Sequence, residues 1–417
     1  MQSRERVLKY HEERRGTIQV VSNVSVGNPG ALSLAYAPRV AEPCVGIGND
    51  PNLVNRYINR ANTVAIVTDG TAVLGLGDIA PIAVNAILFE IFGGVDAFPI
   101  WLDIKDLDKM AETVRLLQPS FGGVNLEDVT VAHAFGIEES LRRILSVSVF
   151  NDDQHGTAVV IGVALTNALR ITGRKIHEVR IVFNGAGTAV ISVAQHLLAV
   201  GGQDIGLVDR QGLIYQRRVG ISSPFKGSIA QVSNWERRVG DLEQALLGGG
   251  VFIELSAADA LTLNMMKGMN PQSIVFALAK SVSESWSVLA LEAGAQVAGT
   301  GRCNVSSPIH NVLGFPGIFR RALDAGEREI NLQMRLAAFQ ASAPLISESE
   351  MRDDYIIPQP MDRPAAPEVA ALAALEPGGA TRNISAKWDI AYCRHLVNEV
   401  LGMNERFSKR RMAFEAV

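Results

Sequence analysis

Short runs of β-branched and apolar residues, each closed by glycine, asparagine, aspartate or serine, alternate along most of the chain with longer segments rich in alanine and leucine. TVAIVTDG at 63–70, VRIVFNGAG at 179–187, DIGLVDR at 204–210, VFIELS at 251–256 and SIVFALAK at 273–280 have the length and continuous apolar character of strands buried on both faces. AVVIGVALTNALRITG at 158–173 reads as a helix, and PIAVNAILFEIFGG at 81–94 as an apolar helix running into a glycine turn. The alternation predicts parallel sheets covered by helices, an α/β protein, and no internal repeat interrupts it.

The same pattern suggests how the chain is divided. A first domain, 1–155, closes at the loop NDDQHGT, and a second α/β unit occupies 156–310, ending before the turn GFPG at 314–317. FRRALDAGEREINLQMRLAAFQA at 319–341 reads as one further helix. From 341 to 382 the composition shifts to proline, alanine and serine, with IIPQPMDRPAAPEV as an extended arm, and KWDIAYCRHLVNEVLGM as a terminal helix. Residues 311–417 are expected to pack back on the first domain.

Composition narrows the functional classes. At 417 residues and 47% apolar, the chain can bury the cores of two domains. A formal charge of -4 and no basic stripe give no reason to expect nucleic acid, so the expected partner is a small molecule. Cys44, Cys303 and Cys393 are far apart and form no Cys-x-x-Cys pair, which indicates neither a zinc cluster nor a disulfide framework. The charged start MQSRERVLKYHEERRG has no apolar segment behind it, and no apolar run reaches the roughly 20 residues that span a bilayer. A soluble, cytoplasmic protein is expected, with no membrane partner.

The clearest local motif is VRIVFNGAGTAVISVAQHLLAVGGQDIGLVDR. Strand, glycine turn, helix and second strand, with Asp209 closing the last, form a dinucleotide-binding unit in which Gly185 and Gly187 face a pyrophosphate. Asp209 would accept from a ribose 2′-hydroxyl and repel a 2′-phosphate, favouring NAD over NADP. The third glycine of the pattern is replaced by Val190, and a βαβ unit that binds nothing stays open as the alternative.

Glu127 and Asp128 in NLEDV, and Asp152 and Asp153 in FNDDQHGT, close two apolar runs. Each pair alone could be a solvated turn. Brought together at one sheet edge, they would hold a hard divalent cation through oxygen ligands. Tyr36 by itself reads as packing, and His155 and His310 as structural or capping residues.

AYAPRVAEPC, NTVAIVTDGTAVLGLGD, FGGVDAFPI, FGGVNLEDV, FNDDQHGTAVV, FNGAG, HNVLGFPGIFRRALD and DYIIPQP, collinear over residues 1 to about 362, resemble the short bacterial malic enzymes. The resemblance implies an N-terminal catalytic domain and a Rossmann-type NAD(P)-binding domain, a homodimer, Mg²⁺ or Mn²⁺, and oxidative decarboxylation of malate through a lysine base and a tyrosine acid. It implies Glu127, Asp128 and Asp153 as metal ligands, Tyr36 as the acid, Asn311 as a substrate-binding residue and Asp209 as the ribose reader.

The departures from the family fall on the chemistry. The loop after LGLGD is shorter, and Asn85 stands near the position of the base lysine, where it cannot take a proton. The family's Ala-Asn-Pro-x-Pro-Glu is AKSVSE here, so Lys280 replaces a substrate-binding asparagine; Arg39 replaces a glycine near Tyr36, and Glu254 stands where a glycine is favoured. Arg39 and Lys280 add positive charge suited to an acid with a further anionic group, and Lys280 could serve as base. Val190 and Glu254 would weaken NAD binding. Two alternatives therefore stand beside oxidative decarboxylation of malate or an altered 2-hydroxy acid: a metal-dependent decarboxylase without hydride transfer, and a non-catalytic binding paralogue.

Overall fold

The computed structural model describes residues 4–359 except 15–17, 21, 23, 25–26, 38, 73–82, 222, 256–259, 279–285 and 302–308. Lys280, Cys303, the expected arm from residue 360 and the expected terminal helix lie outside the described residues; Ile356 and Ile357, at the start of the arm, are buried, and the Ile356 carbonyl accepts from Asn167 Nδ2 at 2.9 Å. Ten strands are present among them: β1 (Thr63–Thr68), β2 (Asp96–Trp101), β3 (Gly123–Leu126), β4 (Ser148–Asn151), β5 (Arg180–Asn184), β6 (Asp204–Asp209), β7 (Gly212–Leu213), β8 (Val251–Glu254), β9 (Ser273–Ala277) and β10 (Ala295–Thr300). Of the described residues, those up to Phe150 together with Ala322–Glu329 form one compact unit, and Asn151–Arg321 with those from Ile330 onward form a second.

The first unit is built on a four-stranded sheet of order β2-β1-β3-β4, with β1 parallel to both β2 and β3. Every residue of β1 is buried, as its unbroken apolar run requires of a central strand covered on both faces. Helices Leu107–Leu117 and Val131–Ile144 supply Met110, Val114, Ile137 and Leu141 to the core around Val124 and Leu126. β2 contains Pro99 opposite Ile66, tolerated because β2 is an edge and needs no ladder donor on its free side. The returning segment is held by the Ser148 hydroxyl donating to the Glu327 carbonyl at 2.6 Å.

In the second unit the sheet order is β10-β9-β8-β5-β6-β7, parallel throughout its register pairs except for β7, which runs antiparallel to β6. From β5 the chain passes to β6 on one side and later to β8 on the other. The strand order thus reverses between β5 and β8, the topological switch point at which open α/β sheets bind ligands. Helix Thr157–Thr172 is buried along most of its length and ends at Gly173, whose φ of 65° reverses the chain without a Cβ clash.

The single helix expected at 319–341 is two helices, Phe315–Ala325 and Leu332–Ser342. Gly326 stops the first with φ 61°, and the Asn331 side chain starts the second by accepting from the Met334 amide at 3.0 Å. Among the described residues, no helix is long and apolar enough to cross a membrane.

Candidate active site

The strand ends of the first sheet carry its chemistry. Past β3, the Glu127 amide still donates to the Val67 carbonyl at 3.0 Å, so β1 fixes its backbone. Asp128 then turns the chain with φ 48°, a left-handed conformation that aspartate tolerates better than most residues, and its carbonyl accepts from the Ala72 amide at 3.0 Å. Past β4, the Asn151 side chain accepts from the Gln154 amide at 3.3 Å and opens one wide helical turn, Asp152–Gly156, that presents Asp153. Because β3 and β4 are neighbours, one carboxylate oxygen from each of Glu127, Asp128 and Asp153 lies within 4.8 Å of the others.

Three anionic oxygens without nitrogen or sulfur form a donor set for a hard divalent cation, Mg²⁺ or Mn²⁺. Charge matches as well, since a divalent ion offsets the mutual repulsion of carboxylates at this spacing. Behind them, the fully buried Asn125 directs its Nδ2 towards Glu127 Oε2 at 3.5 Å. Asn311 Nδ2 donates to Asp152 Oδ2 at 3.3 Å, which places this asparagine beside the acidic turn.

The same edge carries groups that sequence reasoning did not assign. Asp69, closing β1, accepts through Oδ1 from the Thr71 amide at 3.0 Å and hydroxyl at 2.6 Å, and Thr71 Oγ1 accepts from the Thr130 amide at 3.0 Å. Lys105, beyond β2, donates to the Asp69 carbonyl at 2.9 Å. The only signal for it was a lysine shortly after an apolar run; its position depends on the β2–β1 pairing.

Other predicted residues are placed as follows. Asn85 is half-buried on helix Ala83–Gly93. Tyr36 ends helix Pro29–Ala35 and is 68% exposed, and Arg39 is exposed on the following turn. His155 Nδ1 lies 3.1 Å from Ser192 Oγ and in close contact with Arg335 Nη1, a packing position inside the second unit. His310 is held below the usual imidazole range by burial.

In the second unit Gly185 has φ 106° and donates its amide to the Val208 carbonyl at 2.7 Å, and Gly187 caps helix Thr188–Ala199. Val190 has no exposed surface, so its methyls fill interior volume rather than the space in front of the glycine turn. Glu254 is 1% exposed and accepts from Asn184 Nδ2 at 2.7 Å. Asn184 ends β5 and Glu254 ends β8, so this carboxylate stands at the switch point itself.

Asp209 ends β6 in an ion-pair cluster. Its Oδ1 accepts from Arg218 Nη1 at 2.8 Å and the Gln211 amide at 3.0 Å, and its Oδ2 from Arg218 Nη2 at 2.6 Å and Lys226 Nζ at 3.0 Å. Burial works to raise this carboxyl, but the Arg218 hydrogen bonds, the Gln211 amide and Lys226 outweigh it and hold it well below the usual carboxylate range.

A sheet with the strand order and glycine turn of a nucleotide-binding Rossmann unit, and a second α/β sheet with acidic strand ends, place the chain in the class of two-domain α/β proteins with a dinucleotide-type unit. Residues 15–142 match the malic enzyme N-terminal domain and 154–285 the malic enzyme NAD-binding domain. The chain belongs to the malic enzyme family. It is 46% identical over 387 residues to the bifunctional malic/malolactic enzyme of Bacillus subtilis (strain 168), covering 91% of this chain and 94% of that one. It is 43% identical over 349 residues to an NAD-dependent malic enzyme of Geobacillus stearothermophilus, covering 82% and 73%. Among solved structures, the malic enzyme of Pyrococcus horikoshii Ot3 superimposes with a TM-score of 0.89 at 33% identity, covering 99% of each chain.

Proposed function

We propose that this chain is a metal- and NAD-dependent oxidative decarboxylase of malate or a closely related 2-hydroxy acid, active as a homodimer in the cytoplasm. The observation that carries the reading is the convergence of Glu127, Asp128 and Asp153 beside Asn311 and its partner Asp152. These three carboxylates would hold Mg²⁺ or Mn²⁺, which when bound supplies Lewis-acid polarisation of the substrate oxygens. A nicotinamide cofactor on the glycine turn supplies the hydride acceptor.

The protein's own groups have four tasks. Asn311 orients the carboxylic acid, Lys280 removes the proton of the C2 hydroxyl, and the Tyr36 phenol returns a proton to the carbon that loses CO₂. Arg39 and Lys280 bring positive charge towards the carboxylates of the substrate, which favours an acid with more than one anionic group. Asn85 takes no part in proton transfer, because an amide cannot accept the hydroxyl proton.

Purified protein with Mn²⁺, malate and NAD should produce NADH and pyruvate in equal amounts, and chelation should abolish both. Pyruvate from oxaloacetate without NADH from malate would overturn the oxidative reading. Absence of turnover with both acids would overturn catalysis on malate altogether.

A further inference from the structure

We propose that Arg335 is a positioning residue for the metal site: it grips His155 and thereby fixes the turn that presents Asp153. The inference deepens the reading of Glu127, Asp128 and Asp153 as a metal site, on which it rests.

The three carboxylates are not held alike. Glu127 and Asp128 follow β3 directly, where the Glu127 amide bonds to the Val67 carbonyl of β1 and the Asp128 carbonyl to the Ala72 amide. Asp153 stands on the wide turn Asp152–Gly156, past the end of β4. The bond that opens this turn, from the Gln154 amide to the Asn151 side chain, is long at 3.3 Å. His155, two residues beyond Asp153 and 8% exposed, ties the turn to the helices behind it. Its Nδ1 lies 3.1 Å from Ser192 Oγ on helix Thr188–Ala199 and against Arg335 Nη1 on helix Leu332–Ser342. A guanidinium donates and never accepts, so Nδ1 is the acceptor and the ring carries its proton on Nε2. The bond is charge-assisted, the stronger kind, and it sets both the tautomer and the orientation of the imidazole.

The other end of the grip is rigid. Arg335 sits in the first turn of its helix, where its Nε and its amide both donate to the carbonyl of the N-cap residue Asn331, at 3.4 and 3.3 Å. One turn on, Phe339 packs edge-to-face on His196 with ring centroids 5.5 Å apart, and a Cβ at Gly162 would stand 3.0 Å from the Phe339 ring. Gly162 belongs to helix Thr157–Thr172, which begins where the Asp153 turn ends. Helix Leu332–Ser342 is thus seated on the helix that continues the turn, and Arg335 reaches from that seat to the turn itself. A ligand carried by an irregular turn gains its precision from such support.

The test is Mn²⁺ binding by calorimetry and NADH binding by fluorescence on the full chain, for the native protein, Arg335→Met, Arg335→Lys, His155→Ala and the double variant Arg335→Met with His155→Ala. Arg335→Met keeps an unbranched stem and loses every donor. It should weaken Mn²⁺ by about 10- to 100-fold, the scale for residues that orient a metal ligand, and leave NADH unchanged. Arg335→Lys, one bond shorter but still a donor, should weaken Mn²⁺ by less, and it decides the matter if Arg335→Met does not fold. His155→Ala should cost as much as Arg335→Met, and the double variant no more than either, because the guanidinium acts through the ring. Additive losses, equal weakening of Mn²⁺ and NADH, or native Mn²⁺ affinity in any variant would make Arg335 a packing residue and overturn this inference alone. A native protein that binds no Mn²⁺ would overturn the metal reading with it.

Discussion

At the scale of single residues, the carboxylates separate by what they are for. Asp153 sits on a wide turn rather than in the core, so Asp153→Ala should keep the fold while weakening Mn²⁺ binding at least tenfold by calorimetry and abolishing turnover; retained affinity would place the metal elsewhere. Glu254 is the opposite case, a buried carboxylate at the point where a dinucleotide's diphosphate is expected. Glu254→Gln keeps an acceptor for Asn184 and removes the charge, and should tighten NADH several-fold in a fluorescence titration; unchanged affinity would show that the charge does not face the nucleotide. His196 is 2% exposed, neither ring nitrogen has a hydrogen-bond partner, and burial, with Arg335 and His155 nearby, holds its pKa at about 3. An imidazole depressed in the native state takes up its proton first on unfolding, so stability falls as pH drops from about 6.5 towards 3, by at most about 1.4 kcal/mol per unit. His196→Leu should flatten that slope in urea melts between pH 7 and pH 5, and an unchanged slope would assign the acid sensitivity to other groups.

At the scale of elements, contact distances decide which substitutions the sheets bear. A Cβ at Gly122, just before β3, would stand 2.4 Å from the Arg60 carbonyl and 2.6 Å from a Leu323 methyl. Gly122→Ala therefore forces backbone apart where the returning segment docks, and should cost about 1–3 kcal/mol, read as a lowered melting temperature. How much of the architecture the sequence displays follows from the same locality. β1, β5, β6, β8 and β9 announce themselves as apolar runs because both their faces are covered. β2 is masked by Pro99, whose tolerance depends on an edge position, and β10, AQVAGT, by small residues. Gly299 in β10 must be small, since a Cβ there would lie 2.7 Å from Ile309 and 2.9 Å from Phe276. The break at Gly326 lies inside a segment rich in helix-forming residues, which reads as one helix. For the site, each acidic pair is visible as the end of an apolar run, whereas the meeting of their oxygens and the place of Lys105 are products of strand adjacency, which no local pattern encodes.

For the whole molecule, the N-terminal segment carries exposed apolar side chains that the proposed homodimer would cover. Leu32, Leu34, Tyr36, Val40 and Val45 on consecutive short helices are 44–68% exposed, and none of the residues of those helices is buried. A run of this kind rarely stays in water. Light scattering should give twice the 44.8 kDa chain mass, and paired charges at Leu34 and Val45 should yield monomer; a native monomer would overturn the homodimer proposal.

Both sheets keep their reactive side chains at the ends of strands, while the strand interiors are apolar and closed. In evolutionary terms this separates two kinds of change. A change at a strand end such as Glu254 leaves the apolar strand interiors, and the packing that makes the protein fold, in place. Such a protein explores new acids and cofactors from a scaffold that stays intact, and selection meets the altered chemistry before it meets any loss of structure.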